Sequence, residues 1–504
     1  MAANDPDEIV TGYEASIEPD LRRASGSYFT PPGIASGLAR LALEGMARRS
    51  TVCDPACGAG AMLLAAGRLL ASRGVPVADV ARHLLWGIDL DAAAVAAARQ
   101  AIVAWAGVDP GDHLVVGDGL RAGERWAKRF DAVLGNPPFL NQLARATVRT
   151  QEVPEHLRPY VRPYTDTAWL FLAAAPGLVR DGGRVVLIQP QSVAAARDAG
   201  PVRAHIGAVA ALEAMWSSAG PVFEASVRVC APVLRVGARP ADAVARWSGV
   251  DFAPESPRGR PTHTWSALLV QPDAAPGVLF DRSTGTLGAL VTATAGFRQQ
   301  FYGLAPYVVD DADGDDATHA PLVTTAHLHV GRIGWGDRPV RFARRRLAHP
   351  RVDLAALERG GPVSLARWVA SRRTPKVLLA TQTRVLEAGV DVAGVAIPST
   401  PVIAIEGADD PWLVAAVLTA PPVSAWALAC HGGTALSPGA IKLAARQVLD
   451  VPLPADHTLW ELGACRLRDG DVAGAAQALN AAYGTPDTVL DWWSHRARLP
   501  ISTQ

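Results

Sequence analysis

The stretch TVCDPACGAGAMLLAAGRLLASRG, residues 51–74, decides how this chain is read. TVCD is a short apolar strand. AMLLAAGRLLASRG is an apolar-periodic helix, ended by Gly74. Between them, CDPACGAG (residues 53–60) is a glycine-rich turn in which the backbone can approach a ligand closely, opening onto a helix N-terminus that attracts negative groups. It lacks the dinucleotide GxGxxG pattern, and no lysine follows to make a Walker loop. Taken alone it reads equally well as an ordinary turn between a strand and a helix.

Working outward, the alternation continues. HLLWGIDLD is a strand and AAAVAAARQAIVAWAG a helix; HLVVGDG and FDAVLGN are strands; residues 166–180 form a helix and GRVVLIQP a strand. SVAAARDAGPVRAHIG is expected as a helix broken near Pro201, followed by strands VAALEAMW and VRVCAPVLRVG. The fold class implied is α/β, a doubly wound and mainly parallel sheet. Such sheets bind ligands at the carboxyl ends of their strands. Upstream, GIASGLARLALEGMARR is an amphipathic helix started by Pro31 and Pro32, and residues 1–24 are expected to be a polar, flexible arm.

The strand ends carry polar groups in series. In GIDLD, Asp89 could accept both hydroxyls of a ribose, unless it caps the next helix, a role open to Asp91. In VVGDGL, Asp118 could accept from an exocyclic amine such as that of adenine, or simply form an Asp-Gly turn. FDAVLGNPPFL (residues 130–140) runs a buried strand into Asn136, Pro137, Pro138 and Phe139. The prolines cannot donate ladder hydrogen bonds, so the strand stops and presents an amide, exposed carbonyls and an aromatic ring.

Together these motifs resemble the S-adenosylmethionine-dependent methyltransferases. DPACGAG with NPPF is similar to the amino methyltransferases acting on DNA adenine, and GSYFTPP (residues 26–32) looks like the segment that closes over the methionine end of their cofactor. The order of motifs, with an extra domain after the catalytic one, resembles the γ class. The resemblance implies S-adenosylmethionine as cofactor, with Phe29, Thr30, Asp54, Ala56, Gly58, Asp89, Asp118 and Asn136 in its site. It implies that the Asn136 side-chain oxygen and the Pro137 carbonyl accept the two N–H bonds of adenine N6. That leaves the nitrogen lone pair aimed at the methyl group without a titrating base. Phe139 would stack on a flipped-out base, with Phe223 as a second ring or, equally, a core residue. The partners implied are double-stranded DNA and, in a bacterial restriction-modification or phage-defence setting, a separate restriction endonuclease or other defence proteins. Two alternatives stand beside this: an NPPF-type methyltransferase acting on ribosomal RNA guanine or protein glutamine, and an inactive DNA-binding homologue.

The expected domains are a catalytic unit over 25–245, a Pro- and Gly-rich boundary near 238–264, a mixed α+β target-recognition domain over 265–456 and a helical tail over 457–504. TPKVLLATQTRV and HGGTALSPGAIKLAARQVLDVPLP resemble the recognition domain of γ-class enzymes. Residues 332–384 carry thirteen basic against three acidic side chains in a chain of balanced charge, 48 against 48. That bias suits a DNA phosphate track, with Arg344, Arg345, Arg346, Arg372, Arg373 and Lys376 as candidates, or a solvated arginine face. The acidic run at 310–317 is expected as a mobile loop, and His327 and His329 as surface or base-contacting histidines.

Five cysteines without a CxxC pair favour a reduced, cytoplasmic protein without a zinc site. The aliphatic runs are too short or interrupted to span a bilayer, so no membrane partner is expected. The acidic, polar start is unlike a signal peptide, and no metal site or nuclease signature is evident.

Overall fold

The computed structural model describes residues 5–18, 30–139, 153–218, 220, 222, 228–261, 264–270, 275–278, 280, 284–296, 298–431 and 440–498. The chain divides into two units, Met1–Gln271 and Pro272–Gln504.

The first unit is built on a ten-stranded sheet. Its strands are β1 (Val52–Asp54), β2 (Leu85–Asp89), β3 (Leu114–Val116), β4 (Phe130–Gly135), β5 (Val179–Leu187), β6 (Gln189–Pro190), β7 (Ala210–Ser217), β8 (Val229–Val236), β9 (Ala243–Ser248) and β10 (Ala253–Gly259). The order is β10-β9-β7-β8-β5-β4-β1-β2-β3, with β6 on β8. Neighbours from β3 through β2, β1 and β4 to β5 are parallel, and β8 runs antiparallel to both β5 and β7. The chain leaves β1 toward β2 and β3, then returns to place β4 on β1's other side. The switch point therefore lies between β1 and β4, where an open α/β sheet has its ligand crevice.

Both faces are covered, as parallel sheets require. Along β4, Ala132 and Leu134 enter one core with α1 (Pro6–Ser16), α2 (Pro32–Leu43), α3 (Ala61–Ser72) and α4 (Ala92–Ala106). Phe130 and Val133 enter the other, with α5 (Thr167–Ala174) and α6 (Gly200–Val209). Ala132, Val133 and Leu134 alternate with a period of two, and Phe130 falls on the second face because the register with β5 shifts between it and Ala132.

Three expectations need correction. Asp5 caps α1 by accepting from the Asp7 amide at 3.0 Å, Pro6 opens it, and Val10 is buried, so part of the arm expected to be flexible is a packed helix. The boundary expected near 238–264 contains β9, which pairs parallel to β7, and β10, which pairs with β9. Their few apolar residues hid them. Pro201 does not break a helix: it sits in the first turn of α6, where its missing N–H costs nothing.

The second unit holds two four-stranded sheets. One runs Thr292–Ala295, Ile403–Glu406, Lys376–Leu379, Ala388–Asp391, all antiparallel; the other runs Val308–Asp310, Pro350–Asp353, His319–Val323, Ile397–Pro398. Three helices, His457–Arg468, Val472–Ala482 and Asp487–Ala497, occupy the region expected to be helical. No single described helix is long and apolar enough to cross a membrane; the bent pair Pro411–Thr419 and Pro421–His431 owes its apolar character to burial in this unit.

Candidate active site and arginine hairpin

The loops after β1, β2 and β3 are laced together by backbone and carboxylate. Leaving β1, Asp54 is buried, and its Oδ1 accepts from the Ala56 amide at 3.0 Å. Burial pushes its carboxyl up to about 8; the Ala56 hydrogen bond opposes the shift and nearby Asp89 adds to it. Gly58 and Gly60 turn the loop with φ of +50° and +92°. A Cβ on Gly58 would meet nothing within 4 Å, so the loop borders open space there. Beyond β2, Asp89 Oδ2 accepts from the Gly58 amide at 2.9 Å and Oδ1 from the Asp91 amide at 3.0 Å. Burial raises the Asp89 carboxyl, and these amides work against the rise. The next residue, Leu90, leaves its apolar side chain 53% exposed.

The third loop is held by close packing. The Gly117 amide donates to the Asp89 carbonyl at 2.8 Å, and Asp118 Oδ1 accepts from the Leu120 amide at 3.0 Å. Asp118 thus fills the turn-forming role, with one of its two oxygens. A Cβ on Gly119 would stand 1.7 Å from the Pro55 carbonyl oxygen and 2.9 Å from Phe171 Cε1. Only glycine lets this loop close on the one after β1.

Across the switch point, β4 delivers Asn136. Its Nδ2 donates to Oγ1 of the buried Thr30 at 3.1 Å, joining the segment before α2 to the NPPF loop. The bond sets the amide's orientation, turning Oδ1 away from Thr30. Gly135 just before it must lack a side chain, because a Cβ there would lie 2.5 Å from Asp54 Oδ1. Asp54 and Asn136 therefore flank one crevice. Phe139 is half-buried against the core of α1–α4. Phe29 and Phe223 lie outside the described residues.

In the second unit the arginines sort into two groups. Val340–Phe342 and Arg345–Leu347 form a hairpin whose two-residue turn, Ala343 and Arg344, has φ of +47° and +66°. That is the twist a tight hairpin wants, on residues that tolerate it poorly, at roughly 1–2 kcal/mol each. Val340, Phe342 and Leu347 anchor it in the interior, while Arg341, Arg344, Arg345 and Arg346 are exposed. Arg341 pairs directly opposite Arg346, a like-charge pair that is locally unfavourable. Arg345 donates to the Val308 carbonyl at 2.8 Å. Arg373 is exposed too and donates to the Asp316 carbonyl at 3.1 Å.

Lys376 and Arg372 do not belong with them. The Lys376 side chain is 0% exposed, and its Nζ bonds Asp391 at 2.5 Å and the Thr374 carbonyl at 3.0 Å. Arg372 pairs with Glu406 at 3.0 Å with only 14% of its side chain exposed. Both are structural ion pairs, withdrawn from the candidate DNA track. His327 is likewise buried rather than on the surface, which pushes its imidazole down to about 4. The acidic run is ordered: Asp310 accepts from the amides of Ala348 and His349, and Asp316 pairs with Arg351 at 2.5 Å. Among the described residues, no three His, Cys, Asp or Glu side chains are grouped to hold a metal ion.

Sequence reasoning passed over Tyr13, whose Oη donates to Asp91 Oδ2 at 2.5 Å, and Asp7, which pairs with Arg68 at 3.0 and 3.1 Å. The signal was present: Asp5-Pro6 is a cap followed by an N1 proline, and Ile9, Val10 and Tyr13 share one helix face.

Residues 13–243 match the model of the N-6 DNA methylase family. That span takes in the sheet from β1 to β8 and every loop of the crevice. The first unit is an N-6 DNA methylase domain. No curated protein sequence matches the chain. Among solved structures, the type IIL restriction-modification enzyme MmeI, in complex with DNA, overlaps 98% of this chain and 81% of its own at 11% identity and a TM-score of 0.62. The type IIG restriction endonuclease BpuSI overlaps 98% of this chain and 68% of its own, at 11% identity and a TM-score of 0.46. The M protein of the type I restriction enzyme EcoKI overlaps 44% of this chain and 48% of its own, at 19% identity and a TM-score of 0.36. At 11% identity the likeness of this chain to MmeI is one of fold.

Proposed function

We propose that this methylase transfers a methyl group from S-adenosylmethionine to adenine N6 in flipped-out duplex DNA, at a specific site, within a bacterial restriction-modification or defence system. The carrying observation is Asn136, held by Thr30 at the carboxyl end of β4 beside the Asp54 loop. The crevice fits the cofactor on its own terms. Gly58 borders open space, Asp118 has an oxygen beyond its turn bond, and Leu90 offers an exposed apolar side chain beside Asp89. Thr30, Asp54, Ala56, Gly58, Asp89, Asp118 and Asn136 would hold S-adenosylmethionine, Asp89 through the ribose and Asp118 through the adenine amine. When bound, that cofactor supplies an electrophilic methyl group.

The chain's part is orientation. Adenine N6 is a poor nucleophile because its lone pair is delocalised into the ring. The Asn136 oxygen and the Pro137 carbonyl accept its two N–H bonds and favour a pyramidal nitrogen, while Phe139 stacks on the base. The arginine hairpin and Arg373 hold the phosphates. The family match supports DNA over RNA or protein as substrate. The test is tritiated methyl transfer to DNA. Wild type transfers, Asn136→Ala does not although it binds cofactor and DNA, Phe139→Tyr stays active, and Phe139→Ala loses most activity. Full transfer by Asn136→Ala would overturn the mechanism.

A further inference from the structure

We propose that helix α1 is a positioning element for the cofactor loops, and that Tyr13 acts on the cofactor site through Asp91. The inference rests on the cofactor reading above and adds residues that touch no substrate.

The helix is attached at three points on one side. Asp7 pairs with Arg68 of α3 through both carboxylate oxygens, at 3.0 and 3.1 Å. Val10 is 3% exposed and sits in the core between α1 and the sheet. Tyr13 Oη donates to Asp91 Oδ2 at 2.5 Å. Each polar attachment leads to a cofactor loop. α3 is the helix opened by the glycine turn after β1. Asp91 lies two residues beyond Asp89 and donates its amide to Asp89 Oδ1 at 3.0 Å, while its own Oδ1 caps α4 through the Ala93 amide at 2.8 Å. Asp89 Oδ2 in turn accepts from Gly58 at 2.9 Å. A continuous chain of hydrogen bonds thus runs from the Tyr13 phenol through Asp91 and Asp89 to the glycine loop.

Burial, then the bond to Asp91, raises the Tyr13 phenol far above its ordinary range, and that same bond lowers the Asp91 carboxyl. Around neutral pH Tyr13 is therefore a protonated donor to a charged acceptor. Hydrogen bonds to charged groups are stronger than neutral ones, so the outer oxygen of Asp91 is firmly held. A helix that served only to cover apolar surface would need Val10 and its neighbours, not two charge-assisted ties to the elements after β1 and β2.

The experiment is Tyr13→Phe, which removes one hydroxyl and keeps the ring. S-adenosylmethionine binding is measured by calorimetry on the full chain, hydrogen exchange of the Gly58 and Asp91 amides on the cofactor-free protein, and steady-state methyl transfer alongside. Expected are an S-adenosylmethionine Kd and KM raised about tenfold, faster exchange at both amides, and kcat at saturating cofactor and DNA within about twofold of wild type. In an Asp91→Ala background, Tyr13→Phe should have no further effect on cofactor affinity, because the phenol then has no side-chain partner at position 91. A lowered melting temperature with unchanged cofactor affinity and amide exchange would show a merely structural helix and overturn the proposal. So would an equal loss in the presence and absence of the Asp91 carboxylate. Failure of the wild type to bind S-adenosylmethionine would instead overturn the cofactor reading, and this inference with it.

Discussion

Replacing Asp89 with asparagine isolates the link between the loops after β1 and β2. The carboxylate receives one amide on each oxygen, Gly58 from the loop after β1 at 2.9 Å and Asp91 from its own loop at 3.0 Å. Asparagine offers one acceptor oxygen and sets an NH2 against the other N–H. One backbone donor then loses its partner in a half-buried site, at about 1–3 kcal/mol. Burial raises the Asp89 carboxyl, so removing its charge returns part of that cost. The net loss expected is about 1–2 kcal/mol, a melting shift of roughly 2–6 °C for a domain this size. Cofactor binding should suffer more, because on the function proposed above the ribose hydroxyls lose a charged acceptor as well: a Kd at least tenfold higher, or about 1.4 kcal/mol. Thermal unfolding of the cofactor-free protein and titration calorimetry read the two effects separately. Wild-type melting with wild-type Kd would refute the reasoning. Lowered melting with an unchanged Kd would refute the ribose interaction alone.

Asp54, raised to about 8 by burial, binds a proton in the fold that it has lost in the unfolded chain between its ordinary value and about 8. Its contribution to stability is therefore full below the unfolded value and is lost as pH rises through about 8; urea unfolding of cofactor-free protein from pH 5 to 9 should show a decline that Asp54→Asn flattens, and parallel curves would refute it. Gly119→Ala sets a Cβ 1.7 Å from the Pro55 carbonyl, so the loops must part. A cost of about 1–3 kcal/mol and weaker cofactor binding are expected, and wild-type values in both would show that this close approach is not needed. In the hairpin, Arg341→Ala with Arg346→Ala should lower the salt slope of DNA binding by about 0.9 for each phosphate no longer neutralised, whereas Lys376→Ala, which breaks a buried pair with Asp391, should destabilise by about 3–5 kcal/mol and leave the slope alone. An unchanged slope in the arginine variants would place the DNA track elsewhere.

Reading the sequence was enough for the central sheet and for its strand-end loops. The switch from a period of two to a helical period, with glycine between, is a local property of the chain, and β1, α3, β2, α4, β3 and β4 all follow from it. The acids and the amide at successive strand ends are legible for the same reason, since parallel strands bring their carboxyl ends to one edge. Only the folded chain decided the rest. α1 looks like a polar arm until Val10 finds a core, and β9 and β10 look like a linker until they meet the sheet edge at β7. Lys376 and Arg344 are both basic residues in one arginine-rich stretch; the first is sealed against Asp391 and the second stands at a hairpin tip. Tyr13 and Asp91 are 78 residues apart and meet because α1 packs beside α4. Whether a charge is buried, paired or free depends on partners distant in sequence, and local pattern carries no record of those distances. Local chemistry chose the elements and the groups at their ends, and tertiary packing chose which of those groups keep company.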